Sequence, residues 1–224
     1  MFLIISLLSL LEAYFNGDMS VWQATIDSTQ WEVLCNEDKE TVLNTEYGFV
    51  ASLIDEAPTG AKRTAKGRNE RNAKAKIYLD TYVAHIEDAK SFLPPSRYCM
   101  YRSAAYAYEF MMSKKLNAGI KSFQLCHDAI KADPNDPFAL SLVANVDFYA
   151  PGILGGSKKK AIEEFEKARE ILLTNDQYDL WWNKPATLFS LIMCYEQIGD
   201  TEKAAERRNE LQALYPNLPY SSEK

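Results

Sequence analysis

Histidine and cysteine, which build most catalytic and metal sites, are scarce in this sequence. Its 224 residues contain two histidines, His85 and His127, and four cysteines, with no CxxC pair. A structural zinc site needs four closely spaced Cys or His ligands, so the sequence predicts no bound metal. Cys126 precedes His127, but adjacent helix residues point about 100° apart, which disfavours a nucleophile with its base. We expect buried free thiols, with one disulfide in an oxidising compartment as the alternative.

Catalytic signatures are also missing. The sequence has no HExxH, no GxSxG and no dinucleotide-binding glycine pattern after a strand. Acidic pairs such as Glu163 and Glu164 are adjacent on a predicted helix, so their carboxylates point apart. We therefore predict no catalytic site and no cofactor, and a chain that binds rather than catalyses.

The chain lacks the basic excess that a general nucleic-acid binder needs. Its net charge is -6 and its pI is near 5.1, whereas 47% hydrophobic and 25% charged residues are ordinary for a globular protein. Residues 61–76 are an exception, with seven positive side chains and one negative. On a helix these charges surround the axis, which favours a solvated segment; an acidic partner or an anionic lipid surface is the alternative.

An apolar run, MFLIISLLSLL, occupies residues 1–11. It is too short to span a bilayer and has the length of a signal-peptide core, although no Lys or Arg precedes it. Residues 1–17 are therefore predicted to be a signal peptide, and export to the periplasm or medium is favoured over a cytoplasmic location. A buried N-terminal core helix is the alternative, and no other membrane association is expected.

Strand-like alternation is lacking too, and helical periodicity replaces it throughout. The sequence predicts an all-α chain with a turn around Pro58 and Gly60, and a break at Pro94 and Pro95. The predicted helices are Val21 to Leu34, Lys39 to Ile54, Thr64 to Phe92, Ser96 to Ser113, Asn117 to Lys131, Pro137 to Tyr149, Lys158 to Leu173, Pro185 to Ile198 and Thr201 to Leu214.

The helices around and after Pro94 and Pro95 show a repeated sequence pattern. An alanine precedes a helix-ending proline by five residues at Ala89 and again at Ala129, and Ala168 holds the matching place later. The endings at positions 94, 134, 173 and 216 are 40, 39 and 43 residues apart. A fixed period in this range predicts stacked supersecondary units.

The small and aromatic residues of these units follow a known pattern. They are Tyr101, Ala104, Ala105, Tyr108, Ala129 and Pro134 in the first unit; Ala161, Phe165 and Ala168 in the second; and Leu188, Leu191, Tyr195, Gly199, Ala204 and Pro216 in the third. The chain thus resembles the tetratricopeptide repeat (TPR) family, with units longer than the usual 34 residues. The resemblance implies an α-solenoid of antiparallel helix hairpins, a TPR-like superhelix, with three repeats over residues 95–217, a divergent repeat or cap over 18–94 and a tail over 218–224.

Members of this family bind a peptide or protein in a groove lined by the first helix of each hairpin, so the resemblance implies a non-enzymatic scaffold for protein–protein interaction. The groove positions carried over are Arg102, Tyr106, Glu109, Phe110, Asn145, Phe148, Phe189, Met193, Glu196 and Gln197. The carboxylate-clamp subfamily is disfavoured because the third unit offers Phe189 and Met193 where basic residues would be needed. Tyr108 and Tyr195 are expected to pack the stack instead.

The stretch YAPGILGGSKKKAIEEFEKA, residues 149–168, suggests a second function. It does not match a phosphate-binding P-loop, and Ser157 is predicted to cap a helix. Its lengthened turn is similar to that of periplasmic repeat proteins associated with solute uptake, so a small-ligand carrier is the alternative. Lysines in the first turn oppose the helix dipole. They are either neutralised by Glu163 and Glu164 or part of an anion site formed by Gly156, Ser157, Lys158 and Lys159.

Overall fold

The structure is a computed structural model that describes residues 7–16, 18–55, 65–149, 156–216 and 218. These residues form α-helices and two short 3₁₀ turns, with no strand among them, and successive helices pack as antiparallel pairs. The predicted all-α architecture of helix hairpins is confirmed. The helices are α1 (Leu7–Asn16), α2 (Met19–Ser28), α3 (Asn36–Asp55), α4 (Ala65–Ala89), α5 (Pro95–Ser113), α6 (Leu116–Ala132), α7 (Pro137–Tyr149), α8 (Lys158–Thr174), α9 (Asn183–Ile198) and α10 (Thr201–Leu214).

The predicted helices after Pro94 agree with the observed ones within two residues at each end. Both ends of α7 and of α10 are those predicted. The first predicted helix, Val21 to Leu34, is the main exception, because α2 ends at Ser28 and a separate 3₁₀ turn covers Trp31–Val33. The hydroxyls of Ser28 and Thr29 both donate to the Thr25 carbonyl. Such side-chain hydrogen bonds compete with the backbone hydrogen bonds of a helix, which explains why α2 ends here.

The chain divides into two compact units. Of the described residues, the first unit contains those from 18 to 129, with α2 to α5 and most of α6. The second unit contains α1 and the described residues from 130 onward, with α7 to α10. The four-part organisation expected from the sequence stays a prediction.

The residues that carry the repeat pattern form the cores of these units. In the first unit, Tyr101, Ala104 and Ala129 are buried, and Tyr108 is 6% exposed. In the second unit, one cluster joins α7, α8, α9 and α10 through Ala144, Phe148, Ala161, Phe165, Leu191, Cys194, Tyr195 and Ala204. Small residues let the helix backbones approach while aromatic rings fill the remaining space. The packing role expected for Tyr108 and Tyr195 is confirmed.

Helix α1 contributes Leu10, Leu11 and Ala13 to the buried residues, with exposed fractions of 1%, 5% and 6%. The first six residues of the predicted signal peptide lie outside the described part of the chain. Among the residues described, no helix combines the length and apolar character needed to cross a membrane. Export therefore stays a prediction.

A buried carboxyl group, that of Glu46, lies in the core of the first unit. The Glu46 side chain is 1% exposed, and its Oε1 lies 2.8 Å from Nδ1 of His85. The His85 ring stacks on Trp31 at a centroid distance of 3.9 Å, and the Trp31 indole donates to Asp88. Burial raises the pKa of Glu46, and the hydrogen bond from His85 lowers it in part. His85 is thus engaged on its ring face and at one nitrogen.

Helices α2 and α3 approach closely where Trp22 lies over Gly48. A Cβ added to Gly48 would stand 2.3 Å from Cζ3 of the Trp22 ring, whereas one added to Gly119 in α6 would meet Phe110 at 3.4 Å, an ordinary contact. Because Trp22 is 3% exposed, its ring has little room to move. The absence of a side chain at Gly48 is what lets these two helices pack.

We expect Gly48→Ala to destabilise the first unit even though alanine favours a helix. The propensity gain is about 1 kcal/mol, and displacing the Trp22 ring costs roughly 1–3 kcal/mol. Gly119→Ala is the matched control, and it should leave the free energy of unfolding unchanged or higher. Urea unfolding followed by circular dichroism measures both variants. If Gly48→Ala is as stable as Gly119→Ala, the close packing of Trp22 on Gly48 is wrong.

Candidate functional site

A cleft of about 320 Å³ opens between α5 and α6 in the first unit. The two helices are joined by Ser103, whose buried hydroxyl donates to the Ser122 carbonyl at 2.8 Å. Small buried side chains at these two positions allow the hydroxyl to reach across. The cleft is lined by Tyr98, Arg102, Tyr106, Lys121, Gln124, Leu125 and Asp128.

Two cations of the cleft lie over one aromatic ring. The Arg102 guanidinium carbon is 5.0 Å from the centroid of Tyr106, and the Lys121 ammonium is 5.2 Å from it. Such cation–π contacts hold the charged groups against the ring and leave their other sides accessible. The cleft therefore presents an aromatic surface with two positive charges and one acidic residue, Asp128.

The charges of the cleft are only partly neutralised. Arg102 Nε lies 3.2 Å from Oε1 of Glu87, whose carboxylate also accepts from the Tyr98 hydroxyl. No carboxylate in the described ranges lies within ion-pair distance of Lys121 Nζ. An anion entering the cleft would gain a charge-assisted hydrogen bond from Lys121 without first displacing an acidic side chain.

Another face of α6, about 120° around the helix axis from the residues that line the cleft, carries exposed apolar side chains. Leu116, Ile120 and Phe123 are exposed by 74%, 57% and 50%, and His127 is also exposed. Spacings of four, three and four residues place these side chains on one side of a helix. Together Leu116, Ile120, Phe123 and His127 are called the α6 stripe below.

The structure brings two of the predicted groove residues together in the cleft, Arg102 and Tyr106. Glu109 and Phe110, one turn further along α5, are half-buried and do not line it. Phe110 packs against Gly119 of α6, and the Lys114 ammonium lies 5.8 Å from its ring centroid. Of the groove residues predicted in the first unit, Arg102 and Tyr106 thus line the cleft, whereas Phe110 packs against α6.

The predicted groove residues of the second unit lie in different surroundings. Phe148 is 4% exposed inside the core, and the Asn145 amide donates to the Ser141 carbonyl one turn earlier. Phe189 and Met193 remain 42% and 37% exposed on α9. In the next turn, Glu196 forms an ion pair with Arg208 of α10, and Gln197 is exposed. A peptide groove that includes these positions stays a prediction.

The helix that follows the glycine-rich turn begins as expected. The Ser157 hydroxyl accepts from the backbone N–H of Lys160 at 3.3 Å, so the predicted N-cap is confirmed. Residues 150–155 lie outside the described part, and Gly156 is half-buried.

The three lysines after this cap all have nearby partners. Lys160 pairs with Asp147 at 2.6 Å and with Glu164, and Lys159 lies 3.8 Å from Glu163. Lys158 lies over the Phe148 ring at 5.3 Å. This arrangement favours neutralisation by acidic side chains, and the anion site at Gly156, Ser157, Lys158 and Lys159 stays a prediction.

The tryptophans before α9 and the cysteines have structural surroundings. Trp181 and Trp182 are half-buried, and Trp182 packs edge-on against Phe138 at 5.1 Å. All four cysteines are free thiols; Cys126 and Cys194 are buried as expected, whereas Cys99 is half-buried and Cys35 is exposed. Within the described residues, no three His, Cys, Asp or Glu side chains form a group that could hold a metal ion.

Sequence reasoning missed the α6 contribution to the site. Lys121, Gln124 and the α6 stripe lie on the second helix of a hairpin, and the repeat resemblance directs attention to first helices only. The signal was present in the sequence as the apolar residues Leu116, Ile120 and Phe123 at helical spacing. Their pattern alone, however, equally fits a helix face that packs against the core.

Comparison with known proteins supports the fold and leaves the family open. No family model matches the sequence, and no curated protein matches it. A solved structure of the HusA haemophore from Porphyromonas gingivalis is similar, with a TM-score of 0.52 and 18% sequence identity. The match covers 82% of this chain and 94% of that one. The chain is therefore a helical protein with the fold of a bacterial haemophore.

Proposed function

We propose that the chain is a non-enzymatic binding protein whose α5–α6 surface takes a flat, amphipathic anion, with haem as the representative of this class. The observation that carries the proposal is that the first unit has both a cleft with two cations over an aromatic ring and, on another face of α6, the exposed α6 stripe. Flat amphipathic anions need both an apolar face and a cationic edge. The likeness to a haemophore supports the same ligand class.

The dimensions of the surface determine how such a ligand would bind. A volume of about 320 Å³ is at the lower end of the range for small-molecule sites. We infer that the cleft takes the carboxylate edge, with Arg102 and Lys121 as donors and Tyr106 beneath them. The ring system would lie on the stripe, where burying exposed apolar surface yields about 25 cal/mol per Å² before ordering costs.

Haemin titration tests this proposal. The parent protein should shift the Soret absorbance, and Lys121→Gln should weaken haemin affinity about tenfold, or about 1.4 kcal/mol. Lys203→Gln is the matched control, because Lys203 also lies over a tyrosine ring, Tyr195, at 5.4 Å, but in the second unit. Native mass spectrometry of the purified protein would show any ligand that is retained. If the parent binds no haemin, or if both variants lose equal affinity, the proposed site is wrong.

A protein partner is the second candidate function, favoured by the exposed pair Phe189 and Met193 four residues apart on α9. Apolar side chains at this spacing can anchor a helix or an extended segment. Phe189→Ala combined with Met193→Ala should abolish retention of the partner in pull-down experiments. Leu214→Ala, which removes an apolar side chain that is 44% exposed on α10, is the control. If the double variant keeps every partner of the parent, this function is excluded.

We also propose that the chain belongs to the TPR family and is exported from a bacterial-type cell. The buried alanines and aromatics of the repeat pattern support the family, and the apolar residues 1–11 support export. N-terminal sequencing of protein recovered from the periplasm and the medium would test export and locate any cleavage within residues 1–17.

A further inference from the structure

The α6 stripe ends at an imidazole that is available for binding. His127 is exposed, and within the described residues its ring nitrogens have no hydrogen-bond partner. The Phe123 ring lies edge-on to it, with centroids 4.5 Å apart and planes at 85°. This contact orients the imidazole beside the apolar side chains and leaves its nitrogens accessible.

The other histidine cannot take the same role. His85 has a side chain 19% exposed, its Nδ1 lies 2.8 Å from the buried carboxylate of Glu46, and its ring stacks on Trp31. Since the sequence contains two histidines, His127 is the accessible imidazole of the chain.

Other iron-binding side chains near the stripe are less suitable. The Tyr98 hydroxyl donates to Glu87, and burial together with that carboxylate raises its pKa, which disfavours the phenolate. Burial also raises the pKa of the Cys99 and Cys126 thiols, so their thiolates are disfavoured. A neutral imidazole needs no such deprotonation to coordinate iron.

We infer that His127 is an axial ligand to the iron of a haem-class molecule whose ring lies along the α6 stripe. The inference rests on the proposed function. Lys121 precedes His127 by six residues, about 9 Å along the helix axis and about 120° around it, so Lys121 lies on the cleft face of α6 and His127 on the stripe. Ile120 and Phe123, which share a face with His127, would contact the ring. His127 is the last residue of the stripe, so the iron would lie at its C-terminal end.

Comparing two porphyrins separates coordination from apolar contact. We expect His127→Ala to lower haemin affinity at least about tenfold, or about 1.4 kcal/mol, and to change the Soret spectrum of the bound ligand. Metal-free protoporphyrin, measured by fluorescence quenching, should bind the variant and the parent equally. Added imidazole should restore the parent spectrum. Lys115→Gln, which changes an exposed residue just before α6 that belongs to neither the cleft nor the stripe, should behave as the parent.

The outcomes distinguish this inference from the proposed function. If His127→Ala keeps the haemin affinity and spectrum of the parent, axial ligation is wrong while haem binding stands. An equal loss of haemin and metal-free protoporphyrin would also overturn ligation, because the side chain would then act by contact alone. If the parent binds neither porphyrin, both the inference and the proposed function fail.

Discussion

Replacing Phe165 by alanine is expected to destabilise the second unit by about 3–5 kcal/mol. Phe165 is 1% exposed and lies in the cluster formed by α7 to α10. Its partners include Ala144, Ala161 and Ala204, whose short side chains cannot extend into the space that the ring would leave. The loss therefore combines the transfer free energy of the ring with the cost of a cavity.

Leu173→Ala is the control for this prediction. Leu173 lies on the same helix but is 41% exposed, so its truncation should cost about 1 kcal/mol or less. Urea unfolding gives the free energies, and hydrogen exchange across residues 158–174 shows whether α8 opens more readily. Equal losses for the two variants would mean that Phe165 is not a central packing residue.

Replacing Arg97 by methionine is expected to destabilise the first unit by about 3 kcal/mol, because it removes one partner of a largely buried ion pair. Arg97 is 6% exposed, and its Nη1 lies 2.6 Å from Oε1 of Glu40 on α3. The buried Tyr101 hydroxyl lies 3.0 Å from Asn44 Oδ1 and 3.3 Å from the same Glu40 oxygen. Without Arg97, the Glu40 carboxylate loses its cationic partner and keeps the hydrogen bond from the Tyr101 hydroxyl.

A double-mutant cycle tests the origin of this loss. Glu40→Gln combined with Arg97→Met should cost less than Arg97→Met alone, because the double variant leaves no unpaired charge beside the core. Unfolding by urea at constant pH and salt provides the free energies. If the losses in unfolding free energy of Glu40→Gln and Arg97→Met add up to that of the double variant, the ion pair makes no specific contribution to stability.

The two halves of the proposed surface differ in how far they could be predicted. The positions of Arg102 and Tyr106 could be predicted from the repeat pattern. The pattern shows which residues of α5 pack inward, and therefore which side chains lie on the opposite face of that helix. The contribution of α6 does not follow, because Leu116, Ile120 and Phe123 have the spacing of a core-facing stripe. Only packing shows that the buried side of α6 is Ala118, Ser122, Cys126 and Ala129 instead. Small residues lie inward here, and the large apolar ones lie outward.

Sequence alone determined the helices after Pro94, their order and the residues that pack between them, because helical periodicity, proline breaks and caps act over a few neighbouring residues. The tertiary structure decided which of the polar and aromatic residues remain accessible. Phe148 and Asn145 have contacts within the second unit, while Lys121 and His127 remain exposed. Accessibility depends on contacts between helices far apart in sequence, and a periodic pattern on one helix carries no information about which neighbour will cover it.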